Sequence, residues 1–241
     1  MINGEQSREN EMLVFSGEEF VRRHRKVREI MQLRGIDCLI ITGNTGGNQS
    51  FAADIRYLTG LAGSAAEGTY ILFPLIGEPV YLASGPFAVK RLEKLCFIPV
   101  APVAFKKGTR IRDYGSDLVD RIKALGLEKG TTGIVSMRVM SAGVYVNLRR
   151  DLPEANLVSA GDVLLECRMI KSLEELAFVR KAGECADKGI EAILEAAHPG
   201  VTEAELTACC DHAMIRVGAD RGPFILIGSS PWEQFQGAIG D

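Results

Sequence analysis

Residues 18–42 run EEFVRRHRKVREIMQLRGIDCLIIT and contain the two patterns on which the fold class depends. In the first part, side chains that can face a core recur at spacings of four, three and four, which predicts an amphipathic helix over 18–34. These side chains are Phe20, His24, Val27 and Met31. After Gly35, the apolar run over 37–42 predicts a short buried strand. A helix followed at once by a strand is typical of an α/β domain.

The same alternation of helices and strands continues to about residue 158. Residues 70–73 and 79–83 predict a β-hairpin, with Gly77 in the connection. Further helices are predicted over 86–95, 113–125 and 141–150, and extended segments over 97–105 and 133–137. The predicted fold class of this part of the chain is therefore α/β.

Two capping boxes follow in the last third of the chain. Ser172 and Glu175 form the first, and Thr202 and Glu205 form the second, so each pair predicts the start of a helix. The first helix has one apolar stripe, formed by Leu176, Val179, Ala182, Ala186, Ile190, Ile193 and Ala197. Two helices and a strand predicted over 223–228 bury too little surface for a core of their own. We expect them to pack on the N-terminal domain or on a partner chain, or to begin a longer domain.

The composition excludes several classes of protein. The 241 residues have a formal net charge of -3, so they lack the basic excess expected of a nucleic-acid-binding protein. No apolar run approaches the roughly 20 residues that span a bilayer. We therefore predict neither nucleic acid nor membrane as a partner. The basic residues Arg22, Arg23, Arg25 and Lys26 are consistent with a solvated helix face or with an anionic partner.

The residues that usually carry catalysis form no complete constellation in this chain. The six cysteines contain no C-x-x-C pair, and we expect reduced, buried thiols, which favours a cytoplasmic location. His24 is expected to be a satisfied, partly buried residue, and His212 with Cys209 supplies only two metal ligands. The loop over 43–48 lacks the spacing of a phosphate-binding loop. We predict no catalytic residue and no metal ligand in this chain.

Three segments, in order, resemble those of creatinases, prolidases and aminopeptidases P. Residues 54–60 (DIRYLTG) resemble their N-x-x-Y-L-T-G segment, with Asp54 where that family usually has Asn. Residues 168–175 (RMIKSLEE) resemble the linker and first helix that lead into their catalytic domain. Residues 198–206 (HPGVTEAEL) resemble the x-P-G-x-T-E-x-E-L segment between the first two helices of that domain.

This resemblance implies a particular fold and domain organisation. Residues 1–163 are expected to form a creatinase-like N-terminal domain with a mixed sheet and flanking helices. Residues 164–241 are expected to supply the first helices of an incomplete pita-bread α+β catalytic domain.

The resemblance also implies a function. The catalytic domains of the family bind two divalent metal ions (Mn, Co or Zn) through two Asp, one His and two Glu, and activate a hydroxide that attacks an amide bond. Those ligands belong to strands later than this chain reaches, so we expect the chain alone to bind no metal and to be inactive. The hypothesis is the N-terminal portion of an Xaa-Pro peptidase- or creatinase-like hydrolase. The alternative is a non-catalytic binding or oligomerisation module of the same fold.

A homodimer is implied as well, since the N-terminal domain of one family subunit can border the active site of its neighbour. Arg56 and Tyr57, in the first motif, are the candidate residues for binding a peptide or small amide substrate there. The opposing interpretation is that Tyr57 and Leu58 pack a strand into the core while Arg56 faces solvent.

Overall fold

The computed structural model of the protein describes residues 14–43, 53–61, 69–109 and 112–219. Phe15–Ile170 form one compact unit, and the residues from Lys171 onward belong to a second. The loop predicted at 43–48 lies outside the described residues beyond Gly43, as does the whole strand predicted at 223–228. None of the helices in the described ranges has the length and hydropathy of a bilayer-spanning segment.

The first unit alternates helices and strands, as predicted. Its helices are α1 Gly17–Leu33, α2 Ala53–Thr59, α3 Pro86–Leu92, α4 Tyr114–Ala124, α5 Ala142–Asp151 and α6 Gly161–Met169. Its strands are β1 Cys38–Gly43, β2 Thr69–Pro74, β3 Val80–Ala83, β4 Val100–Pro102, β5 Thr131–Val135 and β6 Asn156–Ser159.

The six strands form one mixed sheet in the order β4-β3-β2-β1-β5-β6. β2 is antiparallel to both of its neighbours, and the pairings β3 with β4, β1 with β5 and β5 with β6 are parallel. The predicted hairpin is confirmed, with Tyr70 opposite Leu82. Because β1 and β5 are parallel neighbours, their carboxyl ends meet at the same edge of the sheet.

Each face of the sheet carries its own hydrophobic core. Along β1, Leu39 and Ile41 belong to the core beneath α1, α2 and α6, whereas Cys38 and Ile40 belong to the core beneath α4 and α5. All four side chains are fully buried, which explains why the strand is a continuous apolar run rather than an alternating one. The sheet is therefore the central layer of three, and the predicted mixed sheet with flanking helices is confirmed.

Several local expectations differ from the structure. The extended segment expected over 97–105 contributes only the three residues of β4 to the sheet. The strand expected over 133–137 is shifted towards the N-terminus and ends at Val135, because Ser136 takes a left-handed backbone conformation with φ 57°. Helices α2 and α6 and strand β6 were not predicted, since each is short and lacks a clear period of its own.

The first compact unit extends through α6 and so beyond residue 163, where the resemblance divides the chain; the division into two family domains stays a prediction. Val163, Leu164 and Cys167 of α6 are fully buried in the core shared with α1 and α2. Because this face of α6 belongs to that core, the compact unit continues to Ile170.

The second unit contains α7 Leu173–Ala196 and α8 Glu203–Arg216 in its described part. Both predicted capping boxes are confirmed. Ser172 Oγ accepts from the Glu175 amide at 3.0 Å, and Thr202 Oγ1 accepts from the Glu205 amide at 3.2 Å. In each box the glutamate carboxylate also accepts a hydrogen bond from the amide of the cap residue.

The face of α7 that packs on α8 is not the stripe that the periodicity indicated. Gly189 of α7 is buried against Cys210 and Met214 of α8. Cys185 of α7 is also buried, and its Sγ donates to the Val217 carbonyl at the end of α8 at 3.8 Å. On the predicted stripe, Ile190 is 55% exposed and several further residues are exposed or only partly buried. Helix α7 therefore meets α8 through a small-residue face, whereas its longer apolar stripe is exposed or only partly buried.

Candidate functional site

The family-like motif at 54–60 forms most of α2, a helix of seven residues close to the carboxyl end of β1. Ile55, Tyr57, Leu58 and Thr59 of this helix are buried. The Thr59 hydroxyl donates to the Ile55 carbonyl at 2.7 Å and accepts from the Leu61 amide at 3.0 Å. The motif therefore forms the C-terminal end of a helix, which the two hydrogen bonds of Thr59 stabilise. The interpretation of Tyr57 and Leu58 as part of a strand is wrong.

Gly60 completes the end of this helix. Its φ of 79° lies in the left-handed region that favours glycine, and an added Cβ would lie 3.2 Å from the Phe20 ring. A larger residue there would meet both a backbone penalty and a close contact with α1.

An ion pair connects the first turn of α2 to the last turn of α6. Arg168 Nη1 donates to Asp54 Oδ1 at 2.8 Å, and the Ser136 hydroxyl donates to Asp54 Oδ2 at 3.4 Å. The Asp54 side chain is mostly buried at 15% exposure, whereas that of Arg168 is 38% exposed. Asp54 therefore joins three elements: α2, the loop after β5 and α6. In the sequence, Asp54 is recognisable only as a departure from the family motif, and no local pattern indicates Ser136 and Arg168 as its partners.

The two predicted substrate-binding residues lie in different environments. Arg56 is exposed on the surface of α2. Tyr57 is 6% exposed, and its hydroxyl donates to the Cys167 carbonyl at 3.3 Å. Of the pair, only Arg56 is placed to meet a molecule in solution. The substrate-binding role of both residues stays a prediction.

A buried arginine lies beneath α2. Arg23 of α1 is 2% exposed and donates to Glu19 Oε1 at 2.8 Å and to the Tyr57 carbonyl at 3.0 Å. Its guanidinium carbon lies 4.0 Å from the centre of the Phe15 ring and 4.6 Å from that of the Tyr57 ring. The two rings and the carboxylate together compensate for removing this cation from water.

The interpretation of the basic run as a solvated face is therefore wrong for Arg23. Arg22 is also engaged, because its guanidinium forms two hydrogen bonds to the Glu19 carboxylate. The two arginines hold the pKa of Glu19 below its ordinary value, against the opposing effect of burial. Arg25, by contrast, lies on the surface with a side chain that is 71% exposed. The helical spacing of three between Phe20 and Arg23 is the sequence signal that could have indicated this burial.

His24 is a satisfied core residue, as predicted. Its Nε2 lies 2.9 Å from the Leu58 carbonyl, which can only accept, so this nitrogen carries the proton. The ring packs edge-on against Phe73 and Phe97. Burial lowers the pKa of His24 below its ordinary value of 6.5, because the charged form would be desolvated there.

The cysteines are free thiols, and four of the six are buried: Cys38, Cys167, Cys185 and Cys210. Burial raises the pKa values of Cys38 and Cys167 to about 11, which makes both thiols poor nucleophiles and poor ligands at neutral pH. Cys209 is exposed. Among the described residues, no group of three or more His, Cys, Asp or Glu side chains is placed to hold a metal ion.

The described residues define a three-layer α/β domain with a mixed sheet, followed in the chain by two helices that begin with capping boxes. Residues 23–170 match the Creatinase/Prolidase N-terminal domain, and the chain belongs to that family. The family predicted from the three motifs is confirmed.

Known relatives carry the names of hydrolases. The chain is 30% identical over 203 residues to the ectoine hydrolase of Halomonas elongata, covering 81% of this chain and 49% of that enzyme. It is 27% identical over 206 residues to the Xaa-Pro dipeptidase of Pyrococcus horikoshii, covering 86% of this chain and 51% of that enzyme. The chain thus spans about half the length of the curated relatives it matches.

The structural comparison agrees. The prolidase structure from Pyrococcus horikoshii OT3 superimposes with a TM-score of 0.60 at 25% identity, covering 83% of this chain and 50% of the prolidase. The similarity covers more of this chain than the sheet domain alone.

Proposed function

We propose that this chain is the N-terminal portion of a metal-dependent hydrolase that cleaves an amide bond in a peptide or a small amide. The observation that carries this proposal is the order of the parts. The family match over 23–170 is followed directly by two capped helices, which carry the two motifs that resemble the start of the family's catalytic domain. The names of the relatives, an Xaa-Pro dipeptidase and an ectoine hydrolase, support the class of reaction.

The two divalent metal ions (Mn, Co or Zn) belong, in this proposal, to a part of the whole protein other than the described residues. These residues offer no fitting set of ligands, so no step of the reaction is assigned to them. Bound metals would supply an activated hydroxide. We accordingly propose that the 241-residue chain alone is inactive and that the whole protein works in the cytoplasm.

Within a proposed homodimer, Arg56 faces the substrate of the neighbouring subunit. Its exposure on a short helix supports this role, because its cationic side chain is accessible to an anionic or carbonyl group of a ligand. Tyr57 attaches the same helix to its neighbours, because its ring contacts Arg23 of α1 and its hydroxyl donates a hydrogen bond to α6. We assign Tyr57 to positioning the helix rather than to direct contact.

The first experiment compares the complete gene product with the 241-residue chain. Each is assayed for hydrolysis of Xaa-Pro dipeptides, creatine and ectoine, after removal of metal and again after addition of Mn²⁺, Co²⁺ or Zn²⁺. We expect the complete product to bind about two metal ions per subunit and to hydrolyse one of these substrates, and the 241-residue chain to hydrolyse none. Cleavage by the 241-residue chain would contradict its proposed inactivity. A complete product without metal and without activity would favour the non-catalytic module.

The second experiment tests Arg56 in the complete gene product. Arg56→Ala is expected to raise KM or to lower kcat. Arg25→Ala is the matched control, because Arg25 is an arginine of α1 with a side chain that is 71% exposed and that pairs with Glu29 at 3.8 Å. Equal kinetics for the two variants would remove Arg56 from the proposed site.

A further inference from the structure

One face of α2 is attached to the end of α6 by two side chains. Asp54 accepts from Arg168 Nη1 at 2.8 Å, and Tyr57 donates to the Cys167 carbonyl at 3.3 Å. Asp54 and Tyr57 are three residues apart, so they lie on the same side of the helix. Arg56, between them in sequence, points away and is exposed.

The last turn of α6 depends on these contacts. A helix leaves its last four carbonyl groups without partners inside the helix. At Cys167 the carbonyl accepts from both Tyr57 Oη and Lys26 Nζ, the latter at 3.1 Å. Two residues after Arg168 the first unit ends, at Ile170. The contacts from α2 therefore fix the place where the chain leaves this unit.

Helix α2 itself is short, so its orientation depends on such attachments. Its seven residues form fewer than two complete turns, which are marginal without tertiary contacts. Asp54 connects it to two other elements, since one carboxylate oxygen accepts from Arg168 and the other accepts from Ser136 after β5. Removal of this carboxylate would free the start of α2 from both neighbours at once.

We propose that Asp54, acting with Arg168, is a positioning residue that fixes α2 relative to the C-terminal end of α6. By fixing α2, the pair also sets the position of the Arg56 side chain. This inference rests on the proposed function in one respect, namely the role of Arg56 towards substrate. The carboxylate suits this task better than the asparagine usual in the family, because a charge-assisted hydrogen bond to a guanidinium is shorter and stronger than a neutral one.

The ion pair is too exposed to serve mainly as a source of stability. Arg168 is 38% exposed, and ion pairs near the surface contribute little to the free energy of unfolding. A positioning role therefore predicts a specific pattern, in which loss of the pair changes the presentation of Arg56 more than it changes the unfolding temperature.

The first test is a double-mutant cycle in the complete gene product. Asp54→Ala and Arg168→Ala are each expected to raise KM about three- to tenfold with kcat retained, and the double variant is expected to raise it no further, because the two residues act through one contact. Asp54→Asn, which keeps a neutral acceptor and the side-chain volume, is expected to fall between Ala and Asp. Arg34→Ala is the matched control, since Arg34 pairs with Asp162 and Glu166 of α6 but not with α2.

The second test uses the 241-residue chain and does not depend on substrate. Amide hydrogen exchange in α2 is expected to be about tenfold faster in Asp54→Ala, Arg168→Ala and the double variant, and unchanged in Arg34→Ala. Additive effects on KM or unchanged exchange in α2 would overturn the inference, and so would faster exchange without any change in KM when Arg56→Ala does change KM. If Arg56→Ala itself leaves KM and kcat unchanged, the proposed function of Arg56 fails instead, and the exchange measurement still decides whether Asp54 holds the helix.

Discussion

The guanidinium of Arg23 lies 4.6 Å from the centre of the Tyr57 ring and donates a hydrogen bond to the Tyr57 carbonyl at 3.0 Å. One buried side chain of α1 therefore holds both the ring and the backbone of the motif residue in α2. The Glu19 carboxylate neutralises the charge of Arg23, with Glu19 Oε1 2.8 Å from Arg23 Nε. This arrangement ties a family motif to a residue 34 positions earlier in the chain.

We predict that Arg23→Met lowers the free energy of unfolding of the first unit by about 2–3 kcal/mol, because the Tyr57 carbonyl loses its charged donor and Glu19 loses one of two cations. Chemical denaturation of the 241-residue chain measures this loss. Arg25→Met is the control and should change stability by less than about 0.5 kcal/mol, since it removes an exposed side chain. Equal effects of the two substitutions would show that burial of Arg23 does not matter for stability.

A second prediction concerns pH and His24. The unfolded chain protonates His24 at its ordinary pKa of 6.5, whereas the folded chain holds the pKa lower because burial disfavours the cation and Arg28 and Arg23 repel it. Stability is therefore complete above about pH 6.5 and is lost as the pH falls below that value. We expect the unfolding temperature to decline between about pH 7 and pH 5.

The matched variants for this prediction are His24→Gln and His198→Gln. Glutamine at position 24 can still donate to the Leu58 carbonyl but does not titrate, so its decline over this range should be shallower. His198 is exposed, and its replacement should leave the slope unchanged. The lowered pKa of Glu19 acts only below its ordinary value of 4.5 and does not interfere. A slope that persists in His24→Gln would assign the effect to another group.

The sequence predicted those elements whose pattern is long and local. The period of α1 placed Phe20, Val27 and Met31 correctly in the core, and both capping boxes were recognisable because their hydrogen bonds join residues three apart. Helix α2 was not predicted, since its seven residues are too few for a period to emerge. Neither interpretation of the basic run, a solvated face or an anionic partner, placed Arg23 in the core, because its contact with Tyr57 is not revealed by residue-type patterns.

The candidate site was only partly predictable for the same reason. The motif at 54–60 drew attention to Arg56 and Tyr57, but residue type alone could not show that one is exposed and the other is buried. The partners of Asp54 are 82 and 114 residues away in the chain. In α7, periodicity detected the larger apolar stripe, whereas α8 packs on the face that carries Gly189, where the missing side chain permits close approach.

Thiol reactivity provides a third prediction. At pH 8 the folded chain is expected to react rapidly with a disulfide reagent at a single cysteine, Cys209, because it is the exposed one. Cys38 and Cys96 should react slowly, since burial raises the pKa of each thiol to about 11. Absorbance of the released thiolate follows both phases. Cys209→Ser should abolish the fast phase, and a fast phase that survives it would show that one of the other five thiols is accessible.

The contact between α7 and α8 gives the last prediction, which compares two glycines of the same helix. A Cβ at Gly189 would lie 2.7 Å from both Cys210 Sγ and Met214 Sδ, whereas a Cβ at Gly183 would meet nothing within 4 Å. Gly189→Ala should therefore destabilise the helix pair by about 1–3 kcal/mol through overpacking. Gly183→Ala should stabilise it by about 0.5–1 kcal/mol, because alanine loses less backbone entropy in a helix.

Amide hydrogen exchange in α7 and α8 distinguishes these effects, since it reports the helix pair separately from the sheet domain. Exchange should be faster in Gly189→Ala and slower in Gly183→Ala, with the amides of β1 unchanged in both. The flexible thioether of Met214 can move more easily than a helix backbone, so Met214→Ala in the Gly189→Ala background should recover part of the loss. Slower exchange in both glycine variants would mean that the two helices do not pack at Gly189.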